Sequence, residues 1–199
     1  CPAVGTTDCD LGLSYGKPVI TKLQVAGLPR WVVMVTSGYN NLNGNGGDGA
    51  GYLYVLDALN GTLIYKVGTE VGGINVGSAA APSGLGQINN YVDNPLVDNT
   101  TLHVYGGDLL GNIWRFDFPP LVAAPTATLI GTAKDPLNNP QPITTRPELA
   151  EIGDKPFVMV GTGQLLGTLD LPNTQKQSVY GIQDTLAAGP TTIYSDLRG

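Results

Sequence analysis

Residues 104–117 decide the fold, and they read VYGGDLLGNIWRFD. Two runs of β-branched and aromatic residues flank a centre made of glycine, aspartate and asparagine, which are turn residues. This arrangement predicts two antiparallel strands joined by a tight turn at Gly111 and Asn112. An aromatic residue, alternating apolar residues and a closing aspartate recur at Tyr54–Asp57 and at Tyr180–Asp184. The chain therefore repeats one strand-ending pattern three times.

Further short apolar runs surround each copy of this pattern. Strands are predicted at residues 16–23, 31–38, 52–57, 62–67, 102–108, 113–118, 156–163 and 177–184. Between two of these runs stands Asn60-Gly61, and this dipeptide is a strong signal for a hairpin turn. Four short strands recurring every 40 to 60 residues or so are typical of the blades of a β-propeller.

The predicted fold class is therefore all-β, with the whole chain forming part of one β-propeller. Short four-stranded antiparallel blades are expected at about residues 14–68, 84–132 and 143–199. A blade cannot bury both faces alone, and a propeller closes with roughly four to eight blades. We therefore expect the remaining blades elsewhere in a larger parent protein or in another chain. A β-sandwich is the structural alternative, and one helical turn is predicted at 148–152.

Composition and charge exclude several classes of protein. Glycine and proline contribute 28 and 15 of the 199 residues, yet 42% of the chain is hydrophobic, which argues against disorder. The net charge of −6 leaves no basic stripe for phosphates, so no nucleic-acid partner is expected. No apolar run reaches the roughly 18 residues of a membrane helix. The first residues do not resemble a signal peptide, so a mature product or a fragment is expected.

The two cysteines, Cys1 and Cys9, allow three interpretations. A metal site would need more ligands than these and the single histidine, His103. A lipid on Cys1, as in a bacterial lipoprotein, would leave Cys9 unexplained. A disulfide that closes a short loop accounts for both residues, and it implies an oxidising compartment.

Enzymatic motifs are absent from the sequence. It contains neither a Gly-x-Ser-x-Gly elbow nor a His-Glu-x-x-His pair, and a catalytic triad would have to use His103. The run Leu56–Gly61 resembles the repeats of quinoprotein propellers. A PQQ-type quinoprotein dehydrogenase domain is therefore the enzymatic alternative. Such a domain needs a catalytic aspartate, a tryptophan that stacks on the cofactor, and a complete ring.

The segment 41–49 has the spacing of a calcium loop. Its candidate oxygen ligands are Asn41, Asn43, Asn45 and Asp48, and Gly46 stands where such loops turn sharply. One carboxylate gives little charge to balance a divalent ion, so any binding should be weak. The alternative is a glycine-rich hairpin loop with polar side chains.

The sequence resembles the PilC/PilY family of type IV pilus tip-associated biogenesis factors and adhesins. Blocks that carry the resemblance, in order, are 14–18, 37–40, 51–57, 104–117, 161–164 and 180–184. The resemblance spans residues 12 to 185 and implies the modified β-propeller at the C-terminal end of a large protein.

This family acts outside the cell at the pilus tip, which its members reach through the periplasm and outer membrane. The resemblance therefore implies a non-enzymatic role in pilus extension, adhesion and twitching motility. Expected partners are type IV pilins or minor pilins, the N-terminal region of the parent protein, and a host or surface ligand. A purely structural module of the pilus machinery, with no host ligand, is a further alternative.

The same resemblance implies calcium as a cofactor. In this family a regulatory calcium loop precedes the Val-Tyr-x-Gly-Asp strand, with oxygen ligands at alternate positions. The matching positions here are Asn94, Leu96, Asp98 and Leu102. The two leucines offer no side-chain oxygen, so the sequence departs from the pattern. The candidate ligands that remain are Asp93, Asn94, Asp98 and Asn99.

Overall fold

The computed structural model describes residues 9–42, 46–93, 95–120 and 124–187. These residues form thirteen strands and one short 3₁₀ helix, Thr168–Asp170. In chain order the strands are β1 (Val19–Val25), β2 (Leu28–Thr36), β3 (Tyr52–Asp57), β4 (Leu63–Gly68), β5 (Glu70–Val71), β6 (Ile74–Asn75), β7 (Ile88–Tyr91), β8 (His103–Gly107), β9 (Asn112–Asp117), β10 (Thr126–Thr132), β11 (Glu148–Glu151), β12 (Pro156–Gly161) and β13 (Val179–Gln183). No helix in the described ranges is long and apolar enough to cross a membrane.

Each large sheet is an antiparallel meander of strands that follow one another in the chain. Blade 1 has the order β1-β2-β3-β4, blade 2 the order β7-β8-β9-β10 and blade 3 the order β11-β12-β13, while β5 and β6 pair separately. The first strands of successive blades adjoin, β1 with β7 and β7 with β11, and the outer strands β4 and β10 also meet. A β-sandwich would exchange strands between two facing sheets. The sandwich alternative is therefore wrong, and the sheets stack as propeller blades.

Blade 2 is buried on both faces because its strands alternate residues between two cores. Trp114 and Phe116 of β9 face blade 1, whereas Ile113 and Tyr105 face blade 3. The core between blades 1 and 2 also contains Leu23, Val32, Met34, Leu53, Val55, Leu85, Ile88 and Val104. The core between blades 2 and 3 also contains Ile130, Ile143, Val158, Val160, Tyr180 and Ile182. Blade 2, which contains residues 104–117, thus lies between blades 1 and 3.

Two local predictions need correction. The Asn60-Gly61 dipeptide does lie in a hairpin, but only Gly61 is left-handed, at φ 74°, and its N–H donates to the carbonyl of Asp57. The turn is therefore a longer loop rather than a two-residue one. The helical turn predicted at residues 148–152 is wrong, because residues Glu148–Glu151 form β11 and Leu149 lies opposite Val158 of β12. Packing of Leu149 against the second core outweighs local helix preference.

Candidate functional site

A buried ionic network joins blade 2 to blade 3. Arg115 lies on β9 on the same face as Ile113, so strand alternation directs its guanidinium to blade 3. Its Nη1 lies 2.9 Å from Oδ1 and 3.0 Å from Oδ2 of Asp184, and its Nε donates to Oδ1 of Asp117 at 2.7 Å. The Arg115 and Asp184 side chains are only 5% and 1% exposed. Arg115 thus forms a buried ion pair with the strand-end aspartate Asp184.

Further groups complete the network. The Tyr105 hydroxyl donates to Oδ2 of Asp184 at 2.8 Å, and His103 Nδ1 lies 2.6 Å from Oδ1 of Asp117. His103 is half-buried against Asp117, a contact that a single sequence does not reveal. Burial raises the pKa of Asp117, but the hydrogen bonds from His103 and Arg115 outweigh burial and leave this pKa below its usual value.

A cleft of about 560 Å³ opens beside this network. His103, Arg115 and Asp117 contribute its polar groups, and Leu102, Phe118 and Leu186 are among its apolar ones. The size and the mixture of groups are those of a small-ligand site. Among the described residues that line the cleft, Thr126 carries the only side-chain hydroxyl, and no serine or cysteine is present.

Most of the strand-end aspartates stabilise turns. Asp108 is fully buried and accepts hydrogen bonds from Asn112 (N at 2.9 Å and Nδ2 at 2.9 Å), from Leu110 N at 2.9 Å and from Trp114 Nε1 at 2.8 Å. Burial nevertheless raises the pKa of Asp108 to about 6. Asp57 and Asp184 likewise accept the N–H two residues later. Asp117 differs, since its hydrogen bonds come from side chains.

The candidate calcium loop at residues 93–99 lies where blades 1 and 2 meet. Asp98 Oδ1 is 2.5 Å from Lys22 Nζ and accepts from Thr100 N at 3.0 Å and from Thr100 Oγ1 at 2.8 Å. The hydrogen bond from Lys22 contributes most to lowering the pKa of Asp98. Asp93 is exposed, Asn99 offers its carbonyl to Thr21 Oγ1 at 3.4 Å, and Asn94 lies outside the described residues. The carboxylate of Asp98 is therefore already paired with the ammonium group of Lys22.

The second candidate loop is anchored by its two ends. Asn41 is buried, and its Nδ2 donates to the carbonyls of Ala50 and Asp10, while its Oδ1 has no hydrogen-bond partner among the residues that the structure describes. Asp48 accepts hydrogen bonds from Ala50 N at 2.8 Å, the Tyr52 hydroxyl at 2.5 Å and Asn75 Nδ2 at 3.1 Å. Asn43 and Asn45 lie outside the described residues.

The described ranges hold no metal-binding cluster and one disulfide-bonded cysteine. Within residues 9–42, 46–93, 95–120 and 124–187, no three His, Cys, Asp or Glu side chains cluster to hold a metal ion. Two buried side-chain oxygens in these ranges have no hydrogen-bond partner there, the Tyr39 hydroxyl and Asn41 Oδ1, and the amide oxygen of Asn41 is the one that suits a cation. Cys9 is disulfide-bonded, and Cys1, the other cysteine of the chain, lies outside the described residues. The Cys1–Cys9 pairing stays a prediction.

Comparison with known proteins connects this architecture to a family. A family model of the PilY1 β-propeller domain matches residues 4–196. The chain belongs to this family. The type IV pilus biogenesis factor PilY1 of Pseudomonas aeruginosa strain UCBPP-PA14 is 29% identical over 217 residues, covering 92% of this chain and 17% of that protein. A PilY1 homolog of Xylella fastidiosa is 29% identical over 194 residues, covering 89% of this chain and 12% of that protein.

A solved structure gives the same result for the fold. The crystal structure of the Pseudomonas aeruginosa PilY1 C-terminal domain superposes with a TM-score of 0.71 at 25% identity, covering 91% of this chain and 39% of that chain. The chain thus spans 39% of the solved PilY1 domain and 12–17% of the two curated relatives. The resemblance to the pilus family and the propeller fold are both confirmed.

Sequence reasoning missed a polar recess in blade 3. About 340 Å³ of space lies between the β12–β13 connection and residues 144–145. The sequence does contain a signal for this recess, a concentration of amide side chains in the β12–β13 connection. These are Gln164, Asn173, Gln175 and Gln177. Their role could not be derived from a strand pattern, since they belong to a loop.

Proposed function

We propose that this chain is a propeller module of a type IV pilus biogenesis factor that acts through binding surfaces rather than catalysis. In this proposal it promotes pilus extension, surface attachment and twitching motility, and it works outside the cell at the pilus tip. The observation that carries the proposal is the match of residues 4–196 to the PilY1 β-propeller domain. The relatives reported above carry the name of pilus biogenesis factor.

The first proposed partner is a further blade of the parent protein, packed on the outer face of blade 1. Ile20, Val33, Leu56 and Leu63 lie opposite one another across all four strands of that face. Ile20 is 69% exposed and Leu63 is 53% exposed, and an exposed apolar row of this kind marks a packing surface. The solved PilY1 domain is more than twice as long as the part matched here, which supports further sheets as the occupant.

The other proposed partners are type IV pilins or minor pilins and a host or surface ligand. The disulfide at Cys9 supports a location in an oxidising compartment. The sparse, acidic charge of the chain, −6 in total, supports protein or surface ligands over nucleic acid.

Calcium modulation is part of the proposal, at either of two loops. At residues 93–99, calcium would compete with Lys22 for Asp98 and so alter a contact between blades 1 and 2. In the second loop, the buried Oδ1 of Asn41 receives no hydrogen bond from the described part of the chain and is available to a cation. The second loop is better supported, because its oxygen needs no displacement of a lysine.

Gene deletion and complementation test the proposal. In the source organism, the gene that carries this chain is deleted and restored either intact or without residues 14–187. We expect the intact gene alone to restore surface pili, counted by electron microscopy, and the twitching zone. Wild-type piliation and twitching from the shortened gene would contradict the proposal. The enzymatic alternative is checked separately, because a stoichiometric quinone chromophore in the purified full-length protein would contradict a purely binding role.

A further inference from the structure

The loop between β12 and β13 is unlike its counterpart in blade 2. In blade 2 the strands β8 and β9 are joined by the short turn 108–111, whereas blade 3 uses the long connection 162–178. Long connections that are not linkers commonly carry function in compact domains. This one forms a wall of the recess of about 340 Å³ introduced above, and every lining residue is described in the structure.

Neutral hydrogen-bonding groups dominate the lining of the recess. They include Thr144, Thr145, Gln164, Asn173 and Gln177, together with the single carboxylate Asp170. No lysine, arginine, histidine or aromatic side chain is among the residues that line it. A phosphate, sulfate or carboxylate ligand would therefore meet one negative charge and no positive charge.

Hydrogen bonds hold the outer part of the loop in place. Asp170 accepts from Leu166 N at 2.7 Å, from Gly167 N at 3.0 Å and from Gln164 Nε2 at 2.7 Å. The backbone hydrogen bond from Leu166 contributes most to lowering the pKa of Asp170. The carboxylate therefore stays ionised, and it fixes the side chain of Gln164.

The opposite side of the recess is fixed as well. Gln175 Nε2 donates to Asp135 Oδ2 at 3.1 Å and to the carbonyl of Pro140 at 3.0 Å, and Gln175 N donates to Asn173 Oδ1 at 2.9 Å. Thr144 Oγ1 donates to the carbonyl of Gly163 at 2.8 Å. A site ordered before binding loses less conformational entropy when a ligand arrives.

Several polar atoms of the lining have no partner within the described chain. The hydrogen bonds of Gln164 and Gln177 use only their Nε2 atoms, and that of Asn173 uses only its Oδ1. Two amide oxygens and one amide NH₂ group therefore remain for a ligand. The recess offers donors and acceptors together, without a strong charge of either sign apart from Asp170.

We propose that this recess binds a neutral saccharide unit. Each sugar hydroxyl both donates and accepts, which matches a lining of amides, hydroxyls and one carboxylate. The volume is at the lower end of the range of small-ligand pockets, roughly 300–1,000 Å³, and suits one or two sugar rings. The inference rests on the proposed attachment role, for which it names the class of ligand.

Saturation-transfer NMR on the purified full-length protein tests the site. The probes are glucose, galactose, N-acetylglucosamine, N-acetylgalactosamine, lactose and chitobiose, with N-acetylneuraminic acid as an anionic comparison. We expect transfer to at least one neutral sugar and none to the anionic one. The variant Asn173→Asp keeps the Oδ1 acceptor for Gln175 N and replaces the free NH₂ by an acceptor. It should weaken binding by roughly three- to tenfold, the loss of one hydrogen bond.

The matched control is Asn60→Asp in blade 1. Asn60 Oδ1 also accepts from an N–H two residues later, at 2.9 Å, and both asparagines are exposed. The control should bind sugar like the wild type. Absence of transfer to every neutral sugar, or equal binding by the two variants, would overturn the saccharide site. The deletion strains complemented with the intact gene and with Asn173→Asp separate this result from the proposed function. Restored pili, together with no sugar binding by the wild-type protein, would contradict the saccharide site alone and leave the proposed function standing.

Discussion

Removing the Asp184 carboxylate should strongly destabilise the contact between blades 2 and 3. Asp184→Ala leaves the guanidinium of Arg115 in a site where only 5% of that side chain is exposed. Breaking a buried ion pair from one side costs about 3–5 kcal/mol, and here Asp117 still holds the Nε of Arg115. The remaining contact with Asp117 reduces the cost, but the variant also removes the acceptor of the Tyr105 hydroxyl. An unsatisfied buried hydroxyl costs about 1–3 kcal/mol, so the two effects roughly cancel. We therefore expect a loss of about 3–5 kcal/mol.

Thermal unfolding followed by circular dichroism measures this loss. For a chain of this length, 1 kcal/mol corresponds to roughly 2–4 °C, so Tm should fall by at least about 6 °C. The control is Arg30→Ala, which removes a pair 3.4 Å long whose arginine is 49% exposed and which contributes less than about 1 kcal/mol. The double variant Arg115→Met with Asp184→Leu should recover part of the loss, because no charge is then left buried. A Tm change for Asp184→Ala no larger than that of the control would refute the reasoning.

Three further predictions concern backbone, pH and calcium. Gly111→Ala should lower the free energy of unfolding by about 1–3 kcal/mol, which is more than the loss for Gly61→Ala. Both glycines have positive φ, but only at Gly111 would the added Cβ approach a backbone carbonyl oxygen, at 2.6 Å. Equal losses of the two variants in urea titrations would contradict this. Burial raises the pKa of Asp108 from 3.8 to about 6, so this carboxyl contributes most to stability below pH 3.8 and its contribution declines up to about pH 6. The stability of the wild type relative to Asp108→Ala should therefore fall as the pH rises over that range. A stability difference that does not change with pH would contradict this. Calorimetry should show calcium binding that Asp48→Ala weakens more than Asp98→Ala does; no heat with the wild type would remove the calcium proposal.

The sequence was sufficient to predict eight of the thirteen described strands, β1–β4, β8, β9, β12 and β13, but not β5, β6, β7, β10 or β11. Alternation in residues 104–117 places Trp114 and Phe116 in one core and Ile113 in the other, as period-two patterning requires. The left-handed conformation of Gly111, at φ 78°, also follows from the local sequence. These features depend on neighbours in the chain, and one sequence carries that information.

Features that depend on distant neighbours were not predictable. Residues Glu148–Glu151 form a strand because β12 lies beside them, although their composition suits a helix. His103 is half-buried because Asp117 lies across the hairpin, and the choice of Asp184 as the main partner of Arg115 requires the stacking of two blades. The recess of blade 3 depends on how a long loop folds back, which no periodicity encodes.

The central claim is that the three sheets are consecutive blades of a propeller completed by further sheets, and thiol accessibility tests it most directly. Ile20→Cys and Leu137→Cys are introduced separately into the full-length protein and labelled with a maleimide under native conditions. In this chain Ile20 is 69% exposed and Leu137 is 82% exposed, so only coverage by another part of the protein can separate them. The account predicts a protected thiol in Ile20→Cys and a rapidly labelled one in Leu137→Cys. Equally rapid labelling of both would contradict it.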